Sequence, residues 1–416
     1  MMERRVVVTG LGAVSCAGNS VPELWESLVS GRSGIGKITL FDPAGLSCPV
    51  GEVRDFVLTD VTGKEARRMS RNTKFAIGAA SEAMAMARLE RDPEKRGGDP
   101  FRFGVLFANA AGGVEEYDQN AETLARRGPD GISPFFVPKY ISNAAGGMLA
   151  IRWGLRGPNF NPVSACASGA HAIGESWWMI RRGDAELMLA GGTEACLTRL
   201  LTSGFNSLTA LSRSTAPERA CRPFDLNRDG FVLAEGAGAL VLEELEHARK
   251  RGAEILAEVA GYGASCDATH ITAPDPSGAG LAYAIRRALE TAGALPSEVG
   301  AVYAHGTGTV ANDRVEAKTL AAVFGDALPG IRVSAIKSMI GHALSASGAL
   351  AAIAAVRTLE TGILPPTINY TTPDPECALD VNPGKAAKID PAMVLIDALG
   401  FGGHNAALIF KRWEGR

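Results

Sequence analysis

The sequence predicts an α/β fold with largely buried sheets, and three observations carry the prediction. Short β-branched or apolar runs recur along the 416 residues, each ending in glycine or a polar cluster. Alanine-rich stretches with helical period lie between them. The 49 glycines gather in short runs at the ends of apolar segments, where backbone turns tightly or approaches something closely. Strands and helices alternating in this way give sheets covered by helices.

Along the chain, the first strand is residues 5–9, ending at Gly10. A helix is expected over 74–88 and a strand over 103–108. Residues 167–181 have helical character and lead to a strand at 185–190. A strand-like stretch spans 231–242, with its apolar core at 237–242. The run Arg249-Lys250-Arg251-Gly252 punctuates the middle. Beyond it come a helix over 278–292, strands at 300–304 and 332–336, a helix over 343–359, and strands at 393–397 and 406–410. Val8-Thr9-Gly10-Leu11-Gly12-Ala13 and Val259-Ala260-Gly261-Tyr262-Gly263-Ala264 echo each other. The echo points to two similar halves with a boundary near residue 253.

Composition sets outer limits. With 46% hydrophobic and 21% charged residues, the chain is globular rather than disordered. A net charge of -3 gives no global field for nucleic acid, so an acidic partner must meet a local basic patch. The apolar run near the N-terminus is too short for a signal peptide or a spanning helix, which predicts a cytoplasmic protein outside the membrane. Seven scattered cysteines with no C-x-x-C support neither a disulfide framework nor a zinc ribbon.

Two familiar patterns fail on inspection. Gly10-Leu11-Gly12 would open a dinucleotide fingerprint, but Ser15 stands where the third glycine belongs, so a tight turn after a strand is expected. Asp225-Leu226-Asn227-Arg228-Asp229-Gly230 opens like a calcium loop, whose last ligand would fall on Gly236.

The chemistry gathers elsewhere. Val163-Ser164-Ala165-Cys166-Ala167-Ser168-Gly169 places a cysteine on a strand-to-helix elbow, where free amides and the helix dipole favour a thiolate. Its small neighbours leave room for a bulky electrophile. His305, in His305-Gly306-Thr307-Gly308-Thr309, and His342, in Lys337-Ser338-Met339-Ile340-Gly341-His342, each follow an apolar run. Both therefore fall at carboxyl ends of strands, where open α/β sheets place their chemistry. Lys337 adds a cation shortly before His342. Gly400-Phe401-Gly402-Gly403-His404-Asn405 can aim backbone amides at one point, as an oxyanion hole requires.

These ordered motifs resemble those of the β-ketoacyl-[acyl-carrier-protein] synthases, the elongating condensing enzymes of the thiolase superfamily. The likeness covers essentially the whole chain and extends to Ile132-Ser133-Pro134-Phe135-Phe136-Val137-Pro138, Arg222-Pro223-Phe224-Asp225 and Pro365-Pro366-Thr367-Ile368-Asn369. The resemblance implies a thiolase-like five-layer αβαβα fold of two pseudo-symmetric halves. Residues 1–252 would carry the nucleophile and 253–416 both histidines, in a dimer with an identical or a related subunit. It implies Cys166 as the acylated nucleophile, His305 and His342 as the decarboxylating pair, and Lys337 as the support of His342. The amides of Cys166 and Phe401 would form the oxyanion hole, and Phe401 also resembles the gate between acyl pocket and malonyl site. Thr307, Thr309 and Thr272, the last in a segment with His270, resemble contacts to the carrier's pantetheine. The implied reaction condenses an acyl thioester with malonyl-acyl carrier protein, losing carbon dioxide, in fatty acid or polyketide and polyene elongation. It needs no metal or redox cofactor.

Two positions depart from the family pattern. Ala351 stands where fatty acid enzymes usually carry a glutamate. Ala111, in Ala108-Asn109-Ala110-Ala111-Gly112-Gly113, replaces a bulky isoleucine gate. It predicts a deeper acyl pocket, bounded partly by Phe205 and by the Phe135-Phe136 region of a second subunit. For docking of the acidic carrier, Lys64, Arg67, Arg68, Arg71 and Lys74 recur at helical spacing on one side of a helix capped by Thr62 and Glu65. Arg126, Arg127 and Arg213 are further candidates. Two other classes compete. A non-catalytic partner like the chain-length factors would lack the nucleophile, and a thiolase would carry a second cysteine near the C-terminus, which residues 400–405 do not contain. The initiating synthases pair one histidine with an asparagine, against His342 here.

Overall fold

The computed structural model describes residues 4–415 except Ser47 and Asp60, so Met1 to Glu3 of the N-terminal segment lie outside the described residues. A ten-stranded sheet organises the chain. Its first five strands are β1 (Val6–Ser15), β2 (Phe103–Ala108), β3 (Asn159–Phe160), β4 (Leu187–Glu194) and β5 (Gly236–Glu244). The others are β6 (Ala257–Cys266), β7 (Val299–Tyr303), β8 (Arg332–Ser334), β9 (Met393–Gly400) and β10 (His404–Arg412). The spatial order is β8-β7-β9-β10-β6-β1-β5-β4-β2-β3. Each set of five thus runs third, second, fourth, fifth, first towards the centre. Pair types agree as well: β2–β4 and β7–β9 are parallel, β4–β5 and β9–β10 antiparallel. The two sets join through antiparallel β1 and β6, with Val6 opposite Val259 and Val8 opposite Ala257.

Four helices cover this sheet in equivalent pairs: α1 (Arg71–Met86), α2 (Ser168–Arg182), α3 (Ala279–Ala292) and α4 (Ser347–Thr361). Helices α1 and α3 lie on the outer faces, α1 on β1 and β5, and α3 on β6 and β10. Helices α2 and α4 form the middle layer, packed on each other as well as on strands of both sets.

The echoing glycines serve this packing. Gly10 and Gly12 lie inside β1, not in the turn expected of them. A Cβ at Gly10 would fall 2.1 Å from the Ala83 carbonyl oxygen, and one at Gly12 1.8 Å from that of Ala79, both in α1. Gly261 and Gly263 in β6 stand 2.2 and 2.0 Å by the same measure from the carbonyls of Ala288 and Ala284 in α3. Each missing pair of side chains lets an outer helix lie directly on its strand. The middle helices use the same device where their first turns cross. A Cβ at Gly169 would lie 2.3 Å from the Ser345 carbonyl oxygen, and one at Gly348 2.7 Å from the Ala170 amide nitrogen.

The charged stretch from 64 to 74 is not one helix. The capping box of Thr62 and Glu65 forms, but it opens only the short helix Gly63–Ala66. Burial of Met69 and Ser70 draws the chain inward, and α1 restarts at Arg71. Arg71 does not belong to a docking face. Its guanidinium donates to both Glu235 oxygens, at 2.9 and 2.6 Å, and to the Val53 carbonyl at 2.9 Å. Lys64 and Arg67 stay exposed, Lys74 is half-buried, and Arg68 lies over the Phe135 ring. The segment that begins like a calcium loop is a structural tie. Asp225 accepts the amides of Thr371 and Thr372, each at 2.7 Å, and buried Arg228 pairs with Asp374 at 2.7 Å. Among the described residues no helix is long and apolar enough to cross a membrane, and all seven cysteines are free.

Candidate active site

Cys166 sits on a single 3-10 turn, Ala165–Ala167, that passes directly into α2. The turn begins with Ala165 at φ 50°, a left-handed conformation that a residue with a Cβ adopts only under constraint. Ser168 supplies the constraint: its Oγ accepts the Ser164 amide at 2.8 Å and donates to the Ala165 carbonyl at 2.7 Å. The same construction recurs before α4. Leu344 has φ 43°, Leu344–Ala346 is a 3-10 turn, and Ser345 takes the place of Cys166. Because α2 and α4 cross at their first turns, the Cys166 turn and the His342 segment come together.

They meet at a cavity of about 550 Å³. Cys166, His305, His342 and Phe401 all line it, as do Thr307, Thr309 and Thr272. Ala111 and Phe205 line it too, beside Leu201, Leu208 and Phe231. His270 does not. Its Nδ1 accepts the amides of Thr272 and Ala273, at 3.1 and 3.0 Å, and folds that turn. Lys337 lies outside the cavity wall as well.

The two imidazoles stand at right angles, with ring centroids 5.3 Å apart and an interplanar angle of 88°. Lys337 Nζ is 3.5 Å from His305 Nδ1 and also donates to the His305 carbonyl. Its hydrogen bonds therefore go to His305, while its charge reaches His342 as well. Lysine offers only donors, so His305 Nδ1 accepts and the ring proton resides on Nε2. His342 Nδ1 is 2.9 Å from Ser347 Oγ, a hydroxyl free to donate in the same sense. Burial, and then the Lys337 charge, hold both histidines well below their ordinary pKa. The site thus presents two neutral rings.

Residues 3–248 match the family model described as the β-ketoacyl synthase N-terminal domain, and residues 256–371 that of the C-terminal domain. The chain belongs to the β-ketoacyl synthase family. This ketosynthase is 45% identical over 413 residues to 3-oxoacyl-[acyl-carrier-protein] synthase 2 of Staphylococcus aureus, covering 99% of each chain. It is 44% identical over 418 residues to the Synechocystis protein of the same description, again with 99% of each covered. A solved structure of a type II polyketide synthase acyl-carrier protein in complex with its ketosynthase bound to the hexaketide is similar. It shows 35% identity and a TM-score of 0.90, covering 99% of this chain and 100% of that one. The ishigamide ketosynthase/chain length factor matches at 37% identity and TM-score 0.91, with the same coverage.

In this ketosynthase the elbow does not deliver a resting thiolate. Burial pushes the Cys166 thiol up to about 12, with Glu194 adding to the rise. The Lys337 charge and hydrogen bonds from the Phe401 and Cys166 amides oppose it and lose. Those two amides nevertheless converge on the sulfur. The residues that the sequence reading passed over are buried acids. Glu194 accepts Ser345 Oγ at 2.7 Å and the Ala111 and Ala110 amides at 3.1 and 3.2 Å, fixing the Ala111 loop. Asp397 accepts the His305 amide at 2.7 Å, and Glu316 accepts the Gly306 amide at 2.8 Å. Burial raises the pKa of both. Ala351 is buried in α4, and the carboxyls whose field reaches Lys337 are Glu316 and Asp397. One signal was available: a single acid inside the apolar run Leu395-Ile396-Asp397-Ala398-Leu399.

Proposed function

We propose that this ketosynthase elongates acyl chains by decarboxylative condensation with malonyl-acyl carrier protein, and that the cavity residues divide the work as follows. One observation carries the reading: Cys166, Phe401 and two neutral imidazoles face one cavity. The Cys166 thiol gives up its proton and attacks the acyl carbonyl. The bond from that carbon to the carrier's pantetheine sulfur breaks, the carrier thiolate takes up a proton, and acyl-Cys166 remains. The malonyl thioester then places its carbonyl oxygen against Nε2–H of His305 and His342. Carbon dioxide leaves, and the two donors hold the enolate oxygen. The enolate carbon attacks the acyl-Cys166 carbonyl, whose oxyanion rests on the Cys166 and Phe401 amides. Collapse expels the sulfur and yields the β-ketoacyl carrier protein.

The walls suit these roles. Leu201, Phe205, Leu208 and Phe231 give apolar surface for the stored chain, and Ala111 leaves its entrance wide. Thr307 and Thr309, with hydroxyls 2.9 Å apart, offer hydrogen bonds to pantetheine along with Thr272. Exposed Lys64 and Arg67, with Arg68, supply the positive face for an acidic carrier. A division between residues 252 and 253, a cytoplasmic setting and pairing with an identical or related subunit complete the reading. The edge strand β3 supports such pairing, since Phe160 and nearby Val163 are exposed.

Intact-mass spectrometry after exposure to a panel of acyl carrier thioesters tests the proposal. The protein should gain the acyl mass, on the peptide holding Cys166, and Cys166→Ala should gain none. Acyl transfer that persists in Cys166→Ala overturns it.

A further inference from the structure

One stretch of the cavity wall is held by its backbone alone. Ala110 and Ala111 both line the cavity, in the loop between β2 and the helix Val114–Arg127. The ends of this loop are anchored separately. Asn109 Nδ2 donates to the Thr193 carbonyl at 3.0 Å, and the Gly113 amide donates to the Tyr140 carbonyl at 3.0 Å. Alanine has no side-chain polar group, so the middle of the loop depends on its amides. Both go to one carboxyl group: Ala111 N–H donates to Glu194 Oε1 at 3.1 Å and Ala110 N–H to Oε2 at 3.2 Å. Glu194 is a fixed post. It is fully buried and ends β4, inside the ten-stranded sheet, opposite Gly236 of β5. Its Oε2 also accepts Ser345 Oγ at 2.7 Å, from the turn whose Leu344 lines the cavity. Every one of these contacts brings a donor to an oxygen. An ionised carboxylate satisfies them all, and a glutamine of the same shape does not. The loop therefore lies between the cavity on one side and a buried acceptor on the other.

We infer that Glu194 is a positioning residue that sets the chain-length range of this ketosynthase: by drawing the Ala110 and Ala111 amides onto its carboxylate, it keeps their loop out of the cavity and leaves room beside Cys166 for a long acyl chain. This rests on the storage of the chain on Cys166 proposed above. Glutamine has one acceptor oxygen where the loop uses two. Whichever way its amide is turned, its NH2 faces the N–H of Ala110 or that of Ala111, donor against donor. The repelled stretch then moves towards the free volume it borders, which is the cavity. Long chains lose their space first, and short ones are affected least.

The test compares acylation of the full-length protein by hexadecanoyl- and butanoyl-acyl carrier protein, both followed by intact mass. In Glu194→Gln the long-to-short rate ratio should fall by ~5–150-fold, the equivalent of one buried donor left unpaired. Ser345→Ala removes a different donor from the same carboxylate and leaves both loop amides in place. It should lower Tm while keeping the wild-type ratio, which separates the tether from a general loosening of the core. If Glu194→Gln does not fold, hydrogen exchange read at single amides of the wild type carries the test. The Ala110 and Ala111 amides should be protected like those of β2, and exchange at the rate of a free loop overturns the inference. A wild-type ratio in Glu194→Gln, or an equal fall in Ser345→Ala, overturns it too and leaves the proposed function standing. A wild-type protein that neither thioester acylates overturns both.

Discussion

Replacing Lys337 with methionine probes the electrostatics of the histidine pair. Lys337 is buried, with Nζ 3.5 Å from His305 Nδ1. At an effective dielectric of about 20, a unit charge at that distance opposes a second positive charge on the ring by about 5 kcal/mol. Burial is the larger cause of the depressed histidine pKa values, and this repulsion adds to it. Decarboxylation requires neutral rings, and a group with a depressed pKa stays neutral further into acid. The wild-type rate should therefore hold level as pH falls through the ordinary histidine value of about 6.5. In Lys337→Met that repulsion is gone while burial remains, so the pKa of His305 rises part of the way towards its ordinary value and the rate begins to fall at a higher pH than in wild type. At about pH 8 both proteins have neutral rings, and what remains is the lost hydrogen bond from a charged donor, about 1.5–3 kcal/mol, or ~10–100-fold. The assay is carbon dioxide release from malonyl-acyl carrier protein between about pH 5 and pH 8. Circular dichroism checks that the variant is folded. A Lys337→Met profile parallel to wild type and merely lower would refute the electrostatic role.

Three other substitutions separate pocket, docking and scaffold. Ala111→Ile puts a branched side chain into a cavity wall, and overpacking of about 1–3 kcal/mol should slow acylation by long chains ~5–150-fold. Short primers should keep the wild-type rate; equal losses for long and short acyl carriers in direct competition would contradict the wide entrance. Arg71→Ala strips the ion partner from Glu235, whose side chain is fully buried, and should cost about 3–5 kcal/mol, read as a lower Tm in scanning fluorimetry. The salt dependence of the carrier-driven rate should stay as it was, whereas a changed dependence would return Arg71 to the docking face. Reversing the charge of Lys64 and Arg67 together should raise KM for the acyl carrier and flatten its salt dependence with little change in Tm. Unaltered carrier kinetics would place docking elsewhere.

The order of these effects explains what could be read from the sequence. His305 and Phe401 are legible because each stands just beyond a strand, β7 and β9, and strand ends follow from local composition. Cys166 and His342 follow the short strands β3 and β8 only after six and eight residues, and are legible from the small-residue and glycine motifs around them. Relations created by helix crossing are not. Lys337 is five residues from His342 in the chain, yet the fold delivers it to His305, 32 residues away. The dipole at the start of α2 is visible in the sequence, but the desolvation that overrides it at Cys166 is not. Helical spacing places Arg71 beside Lys64 and cannot register that Met69 turns into the core between them. The glycine echo, read as two short matches, has a packing cause, since each pair admits an outer helix to the strand beneath it. That cause operated twice, and so did the elbow: Ala165-Cys166-Ala167-Ser168-Gly169 corresponds to Leu344-Ser345-Ala346-Ser347-Gly348. The copies then diverged in what their serines do. Ser168 closes its own turn around the nucleophile, while Ser345, fully buried, gives its hydroxyl to Glu194 and the Thr193 carbonyl. Ser347 reaches back to orient His342. One elbow presents a sulfur and its twin orients the imidazole opposite, so the duplicated fold supplies both faces of the cavity from a single local construction.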